Sequence, residues 1–495
     1  MRSSPEVTLP VRLDRAAGGL LPTQLVDQLR GLIADARLAP GDAVPSTRAL
    51  AVHLGVSRGT VVAAYDQLLA EGYLSAVAGR STVVNPQVHR VHPRPPRPSV
   101  HPPAEASPGY DLRPGRPSPD DVVGPEWKAA WRQASAAPVT GPVPVLGLPD
   151  LRLAWSEHLR RMRAVVLDPG QIVVTSGGRE GFALVLLALA RERPLRVGVE
   201  EPGYPSLRRV PAHLGAVVRP LPVDEHGLRV ADLPVGADTP DLLLVTPSHQ
   251  YPLGGSLPID RRQGLLEWAR ANRVVLVEDD YDSELRYTSQ PLPALAALDD
   301  PVGGNVVLLS TLSKTLTPAL AMGFLGLPGR LVPAVAAVRR DLGQPVGMVA
   351  QRAMAAYLGA GALRLHTQRM RNRYRRRRAQ VVAALAGLPG VQVYPMDGGL
   401  NAVVRTQRRE AELVDALVAS GVQVSPLSEY WSGPGNPSGI VFGFGAVSEA
   451  ELDQALRIIA REVALPATAP ARGRRPDTSP GTASSPDAVQ SRLAG

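Results

Sequence analysis

Only two lysines, Lys128 and Lys314, stand among 52 arginines in this 495-residue chain. Arginine stays charged at physiological pH, whereas a lysine can lose its proton and attack a carbonyl carbon. A position that needs a nucleophilic amine therefore cannot be converted to arginine. Lys128 lies in the amphipathic stretch 126–134 and reads as a solvated surface residue. Lys314 follows the apolar run NVVLLS (305–310), just past a turn that carries Thr311 and Ser313. A lysine at the end of a buried strand, beside hydroxyls able to bind phosphate, suits a Schiff base with an aldehyde cofactor.

Upstream, VEDDYDSELRY places Asp279 and Tyr281 two residues apart at another strand end, so both face one side. An aspartate can hold a pyridinium nitrogen protonated, and a tyrosine can hydrogen-bond the phenolic oxygen of such a ring. Alone, this stretch would read as an acidic loop after a strand; joined to Lys314 it reads as a site. In VTSGGREG, Ser176, Gly177 and Gly178 open a helix, and a glycine-containing helix amino terminus is a natural phosphate seat.

The elements that must hold these residues are legible as short apolar runs. QIVVTS (171–176), RVGVE (196–200), DLLLVTP (241–247), RVVLVEDD (273–280) and NVVLLS read as buried strands. Helical stretches such as 259–270 lie between some of them. Continuous apolar strands joined by crossovers predict a mainly parallel α/β sheet, whose ligands bind at the carboxyl ends of the strands.

The chain divides by composition. Residues 12–85 are compact and periodic, 86–119 form a proline-rich linker, 120–463 hold the α/β domain, and 466–495 are expected to be a disordered tail. The net charge of +9 is regional: residues 342–396 hold nine arginines and no acid, while residues 1–84 hold eight against seven acids. The arginine-rich segment reads either as a solvated helix face or as an auxiliary surface for phosphate backbones. The longest apolar runs, such as 182–190, fall well short of the roughly 20 residues of a membrane span. Cysteine is absent, which excludes disulfides and thiolate-bound metals; no metal site is expected, and a cytoplasmic location is the default expectation.

At the amino-terminal end, Ser46 can cap a helix through Leu54, Gly55-Val56 makes a turn, and Ser57 can cap a second helix. Val61, Val62, Tyr65, Leu68 and Leu69 give that second helix its buried face. YLSAV and STVVN, around Gly79-Arg80, read as a two-stranded wing. Over residues 19–85 the motifs LAPG, PSTRALA, LGVSRGTV and AYDQLLAEGYL resemble the GntR-type winged helix. That resemblance implies contacts with double-stranded DNA through Arg48, Ser57, Arg58, Thr60 and Arg80.

The motifs EEPGYPS, TPSHQYPLGG, VTSGGREG and LSKTLTPAL resemble the fold-type I pyridoxal-phosphate enzymes of the aspartate aminotransferase superfamily. The resemblance implies pyridoxal 5′-phosphate on Lys314, Tyr204 stacked on its ring and Gln250 near its phenolic oxygen. Both halves in this order resemble the MocR-type transcriptional regulators across residues 19–463. The fold so implied is an N-terminal winged helix-turn-helix followed by a large aminotransferase-like domain with a smaller C-terminal α+β subdomain. A homodimer is implied as well, with DNA affinity governed by pyridoxal phosphate or an amine adduct of it.

The chain departs from the family pattern at several positions. Ala321 stands where an arginine usually binds the cofactor phosphate, and losing such a contact costs about 1.5–3 kcal/mol. Pro142 replaces a phosphate-binding tyrosine, Ser81 replaces a wing glycine, and Val441 replaces the arginine that clamps a substrate carboxylate. The leading expectation is a cofactor-sensing regulator with at most residual transaminase activity. A working transaminase with a DNA-binding module, and a regulator whose large domain has lost the cofactor, are the alternatives.

Overall fold

The computed structural model describes residues 9–15, 19–76, 81–88, 109–120, 122–287, 292–433 and 436–465. The chain divides into two compact units, residues 1–106 and 107–495. The expected tail, 466–495, and most of the proline-rich stretch lie outside the described residues.

The first unit is built on α1 (Leu21–Ala34), α2 (Thr47–Leu54) and α3 (Arg58–Ala70). Leu25, Val26, Leu29, Leu32 and Ile33 recur at helical spacing and form the buried stripe of α1. Ser46 accepts the Ala49 N–H at 3.2 Å to start α2, and Gly55 ends it in the left-handed region at φ 60°. Ser57 accepts the Thr60 N–H at 3.2 Å to start α3, whose buried residues are Val61, Ala64, Tyr65 and Leu68. Val62 and Leu69 are only partly buried. The wing is the antiparallel pair β1 (Leu74–Ser75) and β2 (Val83–Val84), with Leu74 opposite Val84. Residues 77–80, including Arg80, fall outside the described residues.

The second unit begins earlier than proline content suggests. β3 (Tyr110–Asp111) pairs in parallel with β14 (Val422–Gln423), and the Ser118 N–H donates to the Tyr374 hydroxyl at 2.9 Å. Residues 109–119, read from composition as linker, are thus part of this unit. Proline is compatible with the extended path they follow.

Its main sheet comprises β4 (Ile172–Thr175), β5 (Arg196–Glu201), β6 (Val217–Asp224), β7 (Gly227–Leu228), β8 (Leu242–Val245), β9 (Val275–Asp280), β10 (Val306–Thr311) and β11 (Gly323–Gly326). The spatial order is β4-β11-β10-β9-β8-β5-β6-β7. β6, β5, β8, β9 and β10 are parallel neighbours, while β11 runs antiparallel to both β10 and β4. The five strand expectations match β4, β5, β8, β9 and β10 to within two residues at most ends.

Helices cover both faces: α4 (Pro125–Ala136), α5 (Pro149–Arg163), α6 (Gly178–Ala188), the short α7 (Pro205–Arg208) and α8 (Val210–His213), α9 (Ile259–Asn272), the single turn α10 (Leu295–Leu298), α11 (Val332–Leu342) and α12 (Met348–Gly359). Alternation along β9 feeds both layers. Val275 and Val277 pack with Phe182 and Val185 of α6, while Leu276 packs with Leu265 and Leu266 of α9. A smaller antiparallel sheet, β12 (Val391–Val393), β13 (Asn401–Thr406), β16 (Gly439–Gly443) and β15 (Ser425–Pro426), packs with α13 (Ala362–Leu385), α14 (Glu410–Ala419) and α15 (Glu449–Val463). Among the described residues no helix is long and apolar enough to cross a membrane.

The arginine-rich segment is α13, and much of its charge is structural. Arg371 donates to the Glu284 carbonyl at 2.8 Å, Arg377 to the Gly445 carbonyl at 2.6 Å and Arg378 to the Met396 carbonyl at 2.5 Å. Arg364, Arg369 and Arg375 stay exposed.

Arg262 on α9 is fully buried and donates to the carbonyls of Leu257, Pro293 and Pro247 at 2.8, 2.8 and 2.6 Å. Burial lowers its pKa to about 10, so it keeps its charge at neutral pH, offset by buried Glu278. Arg262→Met strands the Leu257 and Pro293 carbonyls and takes a buried counter-charge away from Glu278, while the Pro247 carbonyl keeps the Leu257 N–H at 2.9 Å. It is expected to cost about 3–5 kcal/mol in urea unfolding, and a loss under about 1 kcal/mol would contradict this account.

Candidate functional site

β9 and β10 run side by side in parallel, with Leu309 opposite Asp279 and Ser310 opposite Asp280. Their carboxyl ends therefore deliver Asp279, Tyr281, Thr311, Ser313 and Lys314 to one end of the sheet. Lys314 Nζ donates to the Gly115 carbonyl at 2.7 Å. Gly115 has φ 83°, where a side chain is strained, and a Cβ added there would lie 2.4 Å from that nitrogen and push the lysine tip aside. The Gly115 N–H is held in turn by the Asn401 side chain at 2.9 Å. Burial lowers the pKa of Lys314; Asp282 and Asp279 oppose that shift, and Arg179 adds to it.

Asp279 is 8% exposed, and among the described residues its carboxylate has no hydrogen-bond partner. Burial, then the negative charges of Asp280 and Asp282, push its pKa up to about 8 against the opposing effect of Lys314. Its neighbour Asp280 points to the other face of the sheet, where Arg163 Nε donates to it at 3.0 Å. A second buried carboxyl, Glu200 at the end of β5, is raised to about 7 by burial and accepts from the Thr246 hydroxyl.

The Tyr281 hydroxyl donates to the His249 carbonyl at 3.0 Å and lies 2.9 Å from His249 Nδ1. The same nitrogen is 2.8 Å from Asp282 Oδ2. Burial first, then Asp282, holds the Tyr281 pKa well above the ordinary tyrosine value. Tyr251 packs edge-on against both Tyr281 and Tyr204, at 5.6 and 5.4 Å between ring centres. Tyr204 sits more exposed, just before α7.

Gln250 is turned away into the wall. Its Nε2 donates to the Pro202 and Tyr251 carbonyls at 2.8 and 2.9 Å, and its Oε1 accepts the Leu253 N–H at 3.2 Å. The side chain shapes this turn, and its neighbour His249 takes the place beside Tyr281. A sequence showing His and Gln side by side does not reveal which one the backbone turns inward.

On the other side, Ser176, Gly177 and Gly178 link β4 to α6. A Cβ on Gly177, whose φ is 117°, would lie 3.9 Å from Thr311 Oγ1, which is itself 2.9 Å from Ser313 Oγ. The Ser176 N–H is taken by Glu180 at 3.0 Å, and Glu180 pairs with Arg339 at 2.7 Å. Arg179, second in α6, is exposed and has no carboxylate partner among the described residues, yet its charge reaches Lys314. Sequence reading passed over Arg179, Gly115 and His249. For Arg179 the available signal was a cation at the start of a glycine-opened helix.

The departures are visible in place. Ala321 is exposed at φ 45°, closing the turn Pro318–Leu320, and Pro142 is exposed. Val441 is buried within β16. Arg208 is occupied by Glu201 at 2.8 Å and by the carbonyls of Tyr430 and Trp431 at 2.7 and 3.1 Å. In the first unit, Arg48 and Arg58 are exposed and lack an acid partner among the described residues; Ser57 and Thr60 are joined hydroxyl to hydroxyl at 2.9 Å.

Comparison with known proteins agrees with this architecture. The family profile "Aminotransferase class I and II" matches residues 117–459, and "Bacterial regulatory proteins, gntR family" matches residues 21–84. The chain is similar to the HTH-type pyridoxine biosynthesis transcriptional regulator PdxR of Corynebacterium glutamicum, with 46% identity over 92% of this chain and 99% of that protein. It is also similar to the probable rhizopine catabolism regulatory protein MocR of Rhizobium meliloti, with 31% identity over 88% of this chain and 92% of that one. Among solved structures, an archaeal alanine:glyoxylate aminotransferase superposes with TM-score 0.66 at 22% identity, over 72% of this chain and 90% of that one. The chain therefore belongs to the GntR-family transcriptional regulators of the MocR type, in which a helix-turn-helix module is joined to an aminotransferase class I and II domain.

Proposed function

We propose that this protein senses pyridoxal 5′-phosphate and controls transcription of genes for making that cofactor. The observation that carries the reading is Asp279, a buried carboxyl group without a hydrogen-bond partner, within electrostatic reach of a lysine amine. A protonated ring nitrogen is the partner such a carboxylate lacks. Pyridoxal phosphate, when bound, supplies that nitrogen together with an aldehyde able to condense with an amine. The residues present fit it. Lys314, its pKa lowered by burial, holds more of the neutral amine at pH 7 than a free lysine does. In this reading Tyr281 releases the His249 carbonyl to which it donates and meets the phenolic oxygen instead, and Tyr204 covers the ring.

Ser176, Gly177, Gly178, Thr311 and Ser313 line the phosphate end, with Arg179 supplying the charge that Ala321 does not. The similarity to a protein named as a pyridoxine biosynthesis regulator supports the choice of effector. A regulator is favoured over a transaminase because Val441 is apolar and Arg208 is already occupied, so neither offers a guanidinium to hold a substrate carboxylate. The protein would act as a homodimer on paired half-sites, with Arg48 at the start of α2 and Arg58 at the start of α3 contacting DNA.

Three measurements test this reading. Titration of the purified protein with pyridoxal phosphate should produce a new near-ultraviolet to visible absorbance band that Lys314→Ala abolishes. Arg179→Gln should keep the band but require roughly 10- to 100-fold more cofactor. No band in the wild type would defeat the sensor reading. Equal affinity in Arg179→Gln would remove that residue from the phosphate end.

A second test uses pH. The pKa of Asp279 in the folded state, about 8, lies above its unfolded value, so between about pH 4 and 8 the folded chain retains a proton the unfolded chain releases. Stability of the cofactor-free protein from this group therefore falls as pH rises through that window. Asp279→Asn should stabilise the cofactor-free protein at pH 8 by a few kcal/mol more than at pH 5, on the order of 2–5. A gain independent of pH would contradict the buried-carboxyl account.

For DNA, Arg58→Ala should weaken operator binding by about tenfold or more and flatten its salt dependence by about one ion. Unchanged affinity would move the contact surface elsewhere.

A further inference from the structure

At the opposite end of the same sheet lies a second cavity, of about 470 Å³, where β8, β9 and β10 begin and α6 and α9 end. Its charge is lopsided. Arg191, Arg270, Arg273 and Arg330 line it against a single acid, Asp241. That acid is already occupied, since Arg193 grips both of its oxygens at 2.6 and 2.9 Å and the Arg196 N–H donates at 2.8 Å. Arg191 approaches it only to 3.9 Å. Arg270 pairs at 2.8 Å with Asp299, whose other oxygen accepts two backbone N–H groups. Arg330 donates to the Gly304 carbonyl at 2.8 Å and the Asn305 side chain at 2.5 Å, both neutral.

Arg273 has no side-chain partner among the described residues. It is also the residue that closes α9, at φ 57° and ψ 36°, a left-handed conformation that glycine adopts at least cost. Cations near helix carboxyl ends are ordinary, because they answer the helix dipole. That explanation needs no concavity. It also does not need an arginine at the one position where glycine would relieve strain. Leu195 and Val275, both buried, give the cavity an apolar floor.

We propose that this cavity is a second ligand site, for a small organic phosphate. The geometry suits a phosphate monoester: Arg273, without a side-chain partner among the described residues, and Arg330, bonded only to neutral oxygens, leave positive charge for a phosphate dianion, and the apolar floor accepts a compact carbon body. The volume exceeds what inorganic phosphate fills, and all four arginines are exposed and open to an incoming ligand. The site is distinct from the one at Lys314. Along β9, Val275 lines the cavity and Asp279 lies four residues on, so the two are roughly 13 Å apart at about 3.3 Å per residue.

Calorimetric titration of the full-length protein with glycerol 3-phosphate tests the proposal, because this probe carries no carbonyl to react with Lys314. Binding is expected, with affinity reduced at least tenfold in Arg273→Gly and in Arg330→Gln, unchanged in Lys314→Ala, and absent with glycerol. Arg273→Gly should retain the wild-type melting temperature or exceed it, since glycine suits that backbone conformation. Three results would each overturn the site: no binding by the wild type up to about 10 mM, a limit weaker than 1 mM affinity; full affinity in Arg273→Gly; or loss of binding in Lys314→Ala.

Discussion

A sheet covered on both faces can carry polar side chains only near the ends of its strands, because in the middle each residue meets an apolar layer. β9 follows this rule, running Val275, Leu276 and Val277 before turning to Glu278, Asp279 and Asp280. The three carboxyl groups are then separated by their partners. Glu278 accepts backbone N–H groups of α10, Asp280 takes Arg163, and Asp279 is left with none. Everything at the Lys314 end follows from that distribution. The pleat sends Asp279 and Tyr281 one way and Asp280 the other, and the parallel neighbour β10 brings Thr311, Ser313 and Lys314 level with them.

The same constraint sets a tension between stability and binding. Two carboxyl groups near the site, Asp279 and Glu200, have pKa values pushed to about 8 and about 7 by burial. Burying them has a cost that grows as they ionise, and apolar packing on both faces of the sheet carries it. Sites of this kind are expected to be less stable than the scaffold would otherwise allow.

Much of this could be read before any coordinates. Buried strands announce themselves as continuous apolar runs, and the scarcity of lysine singled out Lys314. What escaped was set by backbone direction. Gly115 is far from Lys314 in sequence, and only the path of the chain into the second unit brings its carbonyl to the amine. His249 and Gln250 exchange roles because the turn after β8 decides which side chain faces in. The arginines of α13 looked like a charged surface, but the lengths of their side chains let Arg371 reach the Glu284 carbonyl just after β9, and Arg377 and Arg378 reach the Gly445 and Met396 carbonyls of the smaller subdomain.

The hydrogen bond from Lys314 to Gly115 has a wider reach than its length implies. Gly115 belongs to the stretch by which the chain enters the second unit, a few residues after β3. An amine that loses its proton or forms a covalent bond becomes a poorer donor, and the carbonyl must then find another partner or shift. The chemical state of one side-chain nitrogen thus bears on the first stretch of main chain in the second unit, the stretch that β3 ties to β14.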